Sequence, residues 1–313
     1  MRIVFMGTPE FALPSLRKIC ASQHRIATVV TAPDRRRGRG QRELPTPVAQ
    51  EAERAGLPVI KTASLKSAET QRQLRALEVD AAVVVAFGLI VPPALLEWPP
   101  HGCVNLHPSL LPKYRGASPI HAPILAGEQE TGVTTMLMDE GLDTGAMLMQ
   151  ERVEIPDGAN AGDLHDLLAE LGAVLLVRTL TSLQAGTLQP VPQDDARASY
   201  APKVDKVEID WTAAAGEIVR TVHGLSPYPG VHTAWKGKRL KVLRARSVEA
   251  GHVGETEKGA LPGTFVELAS DGPRVAAGEG SVVLREVQPE GRAVMSGLDF
   301  VRGFRPELGV RLA

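Results

Sequence analysis

Apolar runs of strand length alternate with amphipathic stretches through the first part of the chain. Arg2 to Met6, Ile26 to Thr31, Val59-Ile60 and Ala81 to Ala86 are short runs rich in β-branched or small apolar residues. Ala81 to Ala86 contains no polar residue, as a central strand covered on both faces requires. Between these runs lie helical patterns. Thr46-Pro47 opens one that Gly56 can cap, Ala68 to Leu77 is a second, and Gly7-Thr8-Pro9-Glu10 reads as a turn into another, with Thr8 as N-cap. Cys103 to His107 and Val133 to Met138 add strands, and Met147 to Ile155 reads as the partner of the latter. A helix is expected from about Pro119 to Ala126, and a long amphipathic helix from Ala161 to Ala185 closes the region. This alternation predicts an α/β fold with a doubly wound, mostly parallel sheet.

The pattern then changes. Residues 189–206 are rich in Pro, Gln and Asp without periodicity and read as a linker. After a helical stretch from Ala213 to Leu225 come short β runs: Val231 to Trp235, Arg239 to Ser247, Gly263 to Leu268, Arg274 to Ala277 and Ser281 to Val287. Gly/Pro turns separate them, which suggests a small β-barrel. The expected division is therefore a first domain over 1–188, a linker over 189–206 and a second domain over 207–313.

Composition changes this picture little. A chain of 313 residues has room for two domains. With 35 Lys and Arg against 36 Asp and Glu, the net charge is −1, so any attraction to nucleic acid must come from local patches. The two cysteines, Cys20 and Cys103, both sit in apolar sequence, which excludes a disulfide scaffold and suits a reducing compartment. Arg2 enters a strand at once, and there is no signal core or membrane-length run, so cytoplasm and a monomer are the default expectations.

The candidate chemistry begins at Cys103 to His107. If Val104 and Leu106 face a core, Asn105 and His107 share the other face of the strand, beside Pro108, which ends ladder pairing. An amide and an imidazole then stand together at a carboxyl strand end, where open α/β sheets bind ligands. Three further stretches converge on that edge. They are Phe87-Gly88-Leu89-Ile90, Ser109-Leu110-Leu111-Pro112, and Asp139-Glu140-Gly141-Leu142-Asp143-Thr144-Gly145. A metal reading fits poorly: His101, Cys103, His107 and His121 have neither Cys-x-x-Cys nor His-Glu-x-x-His spacing, so no metal is expected. A dinucleotide site at Gly7 also fits poorly, because Pro9 and Phe11 stand where backbone must approach a pyrophosphate. Elsewhere, Arg35, Arg36, Arg37, Arg39 and Arg42, interleaved with Gly38 and Gly40, cannot pack as core. They are expected in an exposed, mobile loop suited to phosphate. Lys236, Lys238, Arg239 and Lys241, continuing to Arg244 and Arg246, make a basic ribbon.

Together, Asn105-Leu106-His107-Pro108-Ser109-Leu110-Leu111-Pro112 and the full Asp-x-Gly-x-Asp-x-Gly match at Asp139 to Gly145 resemble the folate-dependent formyltransferases, nearest to those acting on methionyl-tRNA. The resemblance covers nearly the whole chain. It implies an OB-like barrel for the second domain, whose turns Gly278-Glu279-Gly280 and Gln288-Pro289-Glu290-Gly291 match. It implies 10-formyltetrahydrofolate as formyl donor and the amine of initiator methionyl-tRNA as acceptor. It also implies that Phe87 to Ile90 line the pterin pocket, that Phe11 lies near the methionyl side chain, and that the arginine loop enters the acceptor arm. For such chemistry Asn105 can donate to the developing oxyanion, His107 at its ordinary pKa can stabilise that oxyanion as imidazolium and exchange protons near neutrality, and Asp143 can hold its tautomer or carry protons through a water. Two other readings remain: formylation of a small amine, such as a ribonucleotide or an amino sugar, and an RNA-binding protein with an inert first domain. The presence of residues 207–313 argues against the ribonucleotide, and intact Asn105, His107 and Asp143 argue against inertness.

Overall fold

A computed structural model of the chain describes residues 1–37, 42–248 and 259–313. Its contacts form two compact units. One comprises Met1–Pro119, Thr131–Val153 and His165–Ala201; the other comprises Ile120–Glu130, Glu154–Leu164 and Pro202–Ala313. In chain order the elements begin with β1 (Arg2–Gly7), α1 (Leu13–Cys20), β2 (Arg25–Thr31), β3 (Arg35–Arg37), β4 (Arg42–Leu44), α2 (Pro47–Arg54), β5 (Val59–Lys61) and α3 (Ala68–Arg75). They continue with β6 (Ala81–Val85), α4 (Pro93–Leu96), β7 (Cys103–His107), β8 (Arg115–Gly116), α5 (His121–Ala126), β9 (Glu130–Leu137), β10 (Met147–Glu154) and α6 (Ala161–Gln184).

The main sheet of the first unit runs β10-β9-β7-β6-β1-β2-β5. Strands β1, β2, β5, β6 and β7 pair in parallel, and β9 joins β7 antiparallel with His107 opposite Thr134. The apolar run of β6 is buried at every position, as its central place demands. From β1 the chain steps outward to β2 and β5, then returns to lay down β6 and β7 on the other side. The strand order therefore reverses between β1 and β6, and ligands bind at the carboxyl edge near such a reversal. Thr8 does not cap a helix there. A short 3-10 turn, Glu10–Ala12, precedes α1, and the Thr8 hydroxyl donates to the Phe87 carbonyl at 2.9 Å, tying the two loops together across the reversal.

Two segments differ from their expected form. The arginine stretch is not wholly irregular: β3 and β4 pair antiparallel, Arg35 opposite Leu44 and Arg37 opposite Arg42. Arg39 lies outside the described residues. The expected linker is not featureless either, because its backbone polar groups find partners on the first unit. β11 (Tyr200–Ala201) pairs in parallel with β8, and Val191 exchanges two backbone hydrogen bonds with Met147.

The second unit holds β12 (Val207–Glu208), α7 (Ala215–Leu225), β13 (Val231–Trp235), β14 (Lys238–Val248), β15 (Phe265–Ala269), β16 (Gly272–Ala276), β17 (Ser281–Pro289), β18 (Met295–Ser296) and α8 (Gly297–Phe304). Its strands run β12-β13-β14-β17-β16-β15, with β18 on β17. The tail closes this sheet into a barrel. Ala313 exchanges two backbone bonds with Ala234 of β13, while Val310 and Leu312 bond Phe265 and Gly263 at the start of β15. Trp211, Val222, Val242, Phe265, Val287, Phe300 and Leu312 fill the interior. Helix α8 carries its own start signal, since the Ser296 hydroxyl accepts from the Asp299 N–H at 3.0 Å, and Phe300 stacks on Phe304.

Candidate active site

Alternation along β7 buries Val104 and Leu106 on one face, so Asn105 and His107 stand on the other. His107 is only 4 % exposed. Its Nε2 lies 3.0 Å from the Tyr114 carbonyl, an acceptor, so Nε2 carries a proton. Its Nδ1 lies 3.7 Å from Asp143 Oδ2, close enough for charge to act but too far for a direct hydrogen bond. Burial lowers the His107 pKa; the Asp143 carboxylate and the Tyr114 carbonyl oppose the shift without cancelling it. The ring is therefore neutral near neutral pH, with Nδ1 as its basic nitrogen. This corrects the expectation of an ordinary histidine whose tautomer Asp143 holds: the Tyr114 carbonyl holds it. The half-buried Asn105 amide has no hydrogen-bond partner among the described residues.

Asp143 sits in the left-handed region at φ 55°, and its Oδ2 accepts from the Gly116 N–H at 2.9 Å. The loop that carries it is braced from inside. The Asp139 carboxylate accepts from the Gly141 N–H at 3.0 Å and from the Thr144 hydroxyl at 2.7 Å. A Cβ on Gly145 would lie 1.7 Å from the Leu137 carbonyl oxygen, so that position requires glycine. Gln193, from the expected linker, donates through Nε2 to the carbonyls of both Asp143 and Gly145 at 2.8 Å.

The Ser109 to Pro112 turn is fixed by neighbours that the sequence does not point to. Thr134 Oγ1 donates to the Ser109 carbonyl at 2.7 Å and accepts from the Leu111 N–H at 3.1 Å. Gln150 Nε2 donates to the Leu111 carbonyl at 2.8 Å. The Ser109 hydroxyl donates to the Lys113 carbonyl, and Ser109 and Leu111 are buried, while Leu110 and Pro112 are half-buried. In the loop after β6, Phe87 is buried in the same apolar cluster as Val84 and Val91, Leu89 packs against that cluster, Gly88 has φ 77°, and Ile90 is 75 % exposed. Phe11 is buried, with its ring edge-to-face to His165 at 5.2 Å. Among the described residues no group of three or more His, Cys, Asp or Glu side chains could hold a metal ion.

The basic residues fall into two groups. On the hairpin, Arg35 and Arg36 are exposed, and Arg36 lies 4.0 Å from Glu43. In the second unit, Lys238 and Arg239 are exposed, and Lys236 lies over the Trp235 ring at 5.0 Å. Lys241 is half-buried and donates to the Pro227 carbonyl. Arg244 pairs with Asp163 at 2.7 Å and Arg246 with Asp271 at 2.8 Å, so the inner end of the ribbon is already engaged.

Thr134, Gln150, Gln193 and the Tyr114 carbonyl are not among the expected site groups, because their roles depend on partners distant in sequence or on the backbone. Known proteins share this architecture. Residues 1–180 match the formyl transferase family and residues 203–305 match the formyl transferase C-terminal domain. A methionyl-tRNA formyltransferase of Heliobacterium modesticaldum is 48% identical over 99% of both chains, and one of Moorella thermoacetica is 45% identical over 97% of this chain and 96% of its own. An N-formyltransferase from Helicobacter canadensis, solved with folinic acid and dTDP-3-aminofucose, shares the fold with a TM-score of 0.66 at 20% identity, over 92% of this chain and 98% of its own. Matched in both of its parts and over nearly its full length, this chain belongs to the formyl transferase family, among the methionyl-tRNA formyltransferases.

Proposed function

We propose that the chain transfers a formyl group from 10-formyltetrahydrofolate to the amino group of methionine on initiator methionyl-tRNA. The observation that carries this is the pairing of the Asn105 amide, without a partner among the described residues, with a neutral, buried His107 whose Nδ1 faces Asp143. The donor would supply an electrophilic formyl carbon. Asn105 can donate an N–H to a carbonyl oxygen as it gains charge, the kind of contact whose loss costs about 100- to 1000-fold elsewhere. His107 Nδ1 can take the proton that the attacking amine gives up and return it to the donor's folate nitrogen as the bond from that nitrogen to the formyl carbon breaks and tetrahydrofolate leaves, and Asp143 lies where it stabilises the imidazolium formed in between. No side-chain nucleophile is needed.

The residues at the strand ends fit a flat, amide-edged ring. Phe87 to Ile90, Ser109 to Pro112 and the Asp139 loop would hold it, with exposed Ile90 and Leu142 as apolar cover. Ser109 and Asp139 would contribute by shaping the backbone, since their side chains already bond within their own loops. Arg35, Arg36, Arg37, Arg39 and Arg42 would contact acceptor-arm phosphates, Phe11 would lie toward the methionyl group, and Lys236, Lys238, Arg239 and Lys241 would contact the tRNA elsewhere. Residues 1–188 would then be the catalytic part and 207–313 the tRNA-binding part.

The test is donor-dependent formylation of methionyl-tRNA beside free methionine and an amino sugar. Rapid formylation of the tRNA alone is expected. Equal reaction with free methionine or the sugar would overturn the tRNA reading, and absence of donor turnover would overturn the enzyme reading.

A further inference from the structure

The segment after α6 meets both halves of the proton-handling site. Gln193 Nε2 donates to the Asp143 and Gly145 carbonyls, and its Oε1 accepts from Arg115 Nε at 3.0 Å. Arg115 is 2 % exposed and also pairs with Asp195 at 2.8 Å. The Ser199 hydroxyl accepts from the Tyr114 N–H at 3.0 Å, and the Ser199 carbonyl accepts from the Arg115 N–H at 2.9 Å. Tyr114 has φ 62°, a conformation that a tyrosine adopts only when held. Its carbonyl sets the His107 tautomer, and Asp143 faces the other nitrogen of the same ring.

We propose that Gln193 and Ser199 are positioning residues for formyl transfer: Gln193 holds the Asp143 loop and Ser199 holds the Tyr114 carbonyl, so that His107 is gripped from both sides. The roles of His107 and Asp143 on which this rests are those of the reading above. Arg115 serves Gln193. A buried guanidinium needs acceptors, and by taking Oε1 it leaves the Gln193 amide N–H groups to face the two loop carbonyls. Segment 193–199 is thus part of the site and not a spacer.

The discriminating variant is Gln193→Glu in the full chain. Glutamate keeps the acceptor for Arg115 but has no N–H for the loop carbonyls. Were Gln193 present only to satisfy Arg115, glutamate would serve as well as glutamine. Positioning instead predicts a fall in kcat of about tenfold or more, which corresponds to roughly 1.4 kcal/mol, with the KM for methionyl-tRNA within about twofold. Ser199→Ala adds no charge and is expected to lower kcat with the same split. A second readout does not depend on turnover: the His107 imidazole titration followed by NMR. Asp143 is the charged group that bears on His107, so releasing its loop should lower the midpoint in Gln193→Glu, opposite to the rise that the new carboxylate alone would cause, and displacing the Tyr114 carbonyl, which also raises it, should lower it in Ser199→Ala. A folded variant with an unchanged midpoint and unchanged kcat overturns the role of that residue. If wild-type protein fails to formylate methionyl-tRNA, the function falls while the NMR arm still decides whether Gln193 and Ser199 set the state of His107.

Discussion

Burial decides the charge of His107, and that charge decides how its rate should depend on pH. Desolvation lowers its pKa while Asp143 raises it, so removing the Asp143 charge lowers it further. The acid limb of the kcat profile should therefore lie below the ordinary histidine value of 6.5 in the wild type, and lower still in Asp143→Asn. A limb that stays in place would show that Asp143 does not act on His107. His107→Ala and Asn105→Ala should each reduce kcat by at least about 100-fold in folded protein. A rate near that of the wild type would remove the residue from the mechanism. The two thiols, expected alike from their apolar sequence, are not alike. Cys103 is buried with its pKa pushed up to about 12, and Cys20 is exposed. Thiol titration of native protein should therefore label Cys20 and spare Cys103 until unfolding.

Single substitutions in two loops test whole elements. Gly145→Ala places a methyl against the Leu137 carbonyl, and the obstacle is backbone, so the loop must move and carry Asp143 with it. A loss of kcat of about 100-fold is expected from displacing Asp143 in this way, with the sheet intact by circular dichroism. Retained activity would mean that the loop tolerates displacement. The hairpin tests the electrostatic part of tRNA recognition. Arg35 and Arg36 are exposed on paired strands, so replacing both with alanine should weaken tRNA binding and flatten its salt dependence by a slope of about 2. Donor binding should be unchanged, and an unaltered slope would reduce the hairpin to a solvated basic face.

At the scale of the molecule, barrel closure rests on a few tail residues. Leu312 is fully buried in the second core, while its backbone bonds Gly263. Leu312→Ala should cost about 2–5 kcal/mol of the second unit's stability, measured by denaturant melts. A cost well under 1 kcal/mol would mean that the tail is not holding the barrel shut. Acid should loosen the whole protein. His24, His107 and His223 all have lowered pKa values, with burial as the largest cause in each. Folded pKa values below the unfolded 6.5 mean that the unfolded chain binds protons first as pH falls. The stability these groups contribute is therefore full above about 6.5 and is lost as pH drops toward their folded values. Melting temperatures that stay flat from pH 7 to pH 5 would contradict this.

The sequence by itself determined what local chemistry determines. Alternation placed Asn105 and His107 on one face, an unbroken apolar run made β6 a central strand, and glycines and aspartates marked the loop at Asp139 to Gly145. Each of these follows from neighbours within a few residues. Tertiary structure decided the rest, because desolvation and hydrogen bonding depend on groups far apart along the chain. Arg115 meets Gln193 across 78 residues, and Gln193 meets Asp143 across 50. No periodicity encodes such pairs, so residues 193–199 read as a polar linker until the fold lays them along the site. The neutral state of His107 has the same origin: a strand pattern gives the direction of a side chain, but only the assembled sheet and loops take its water away.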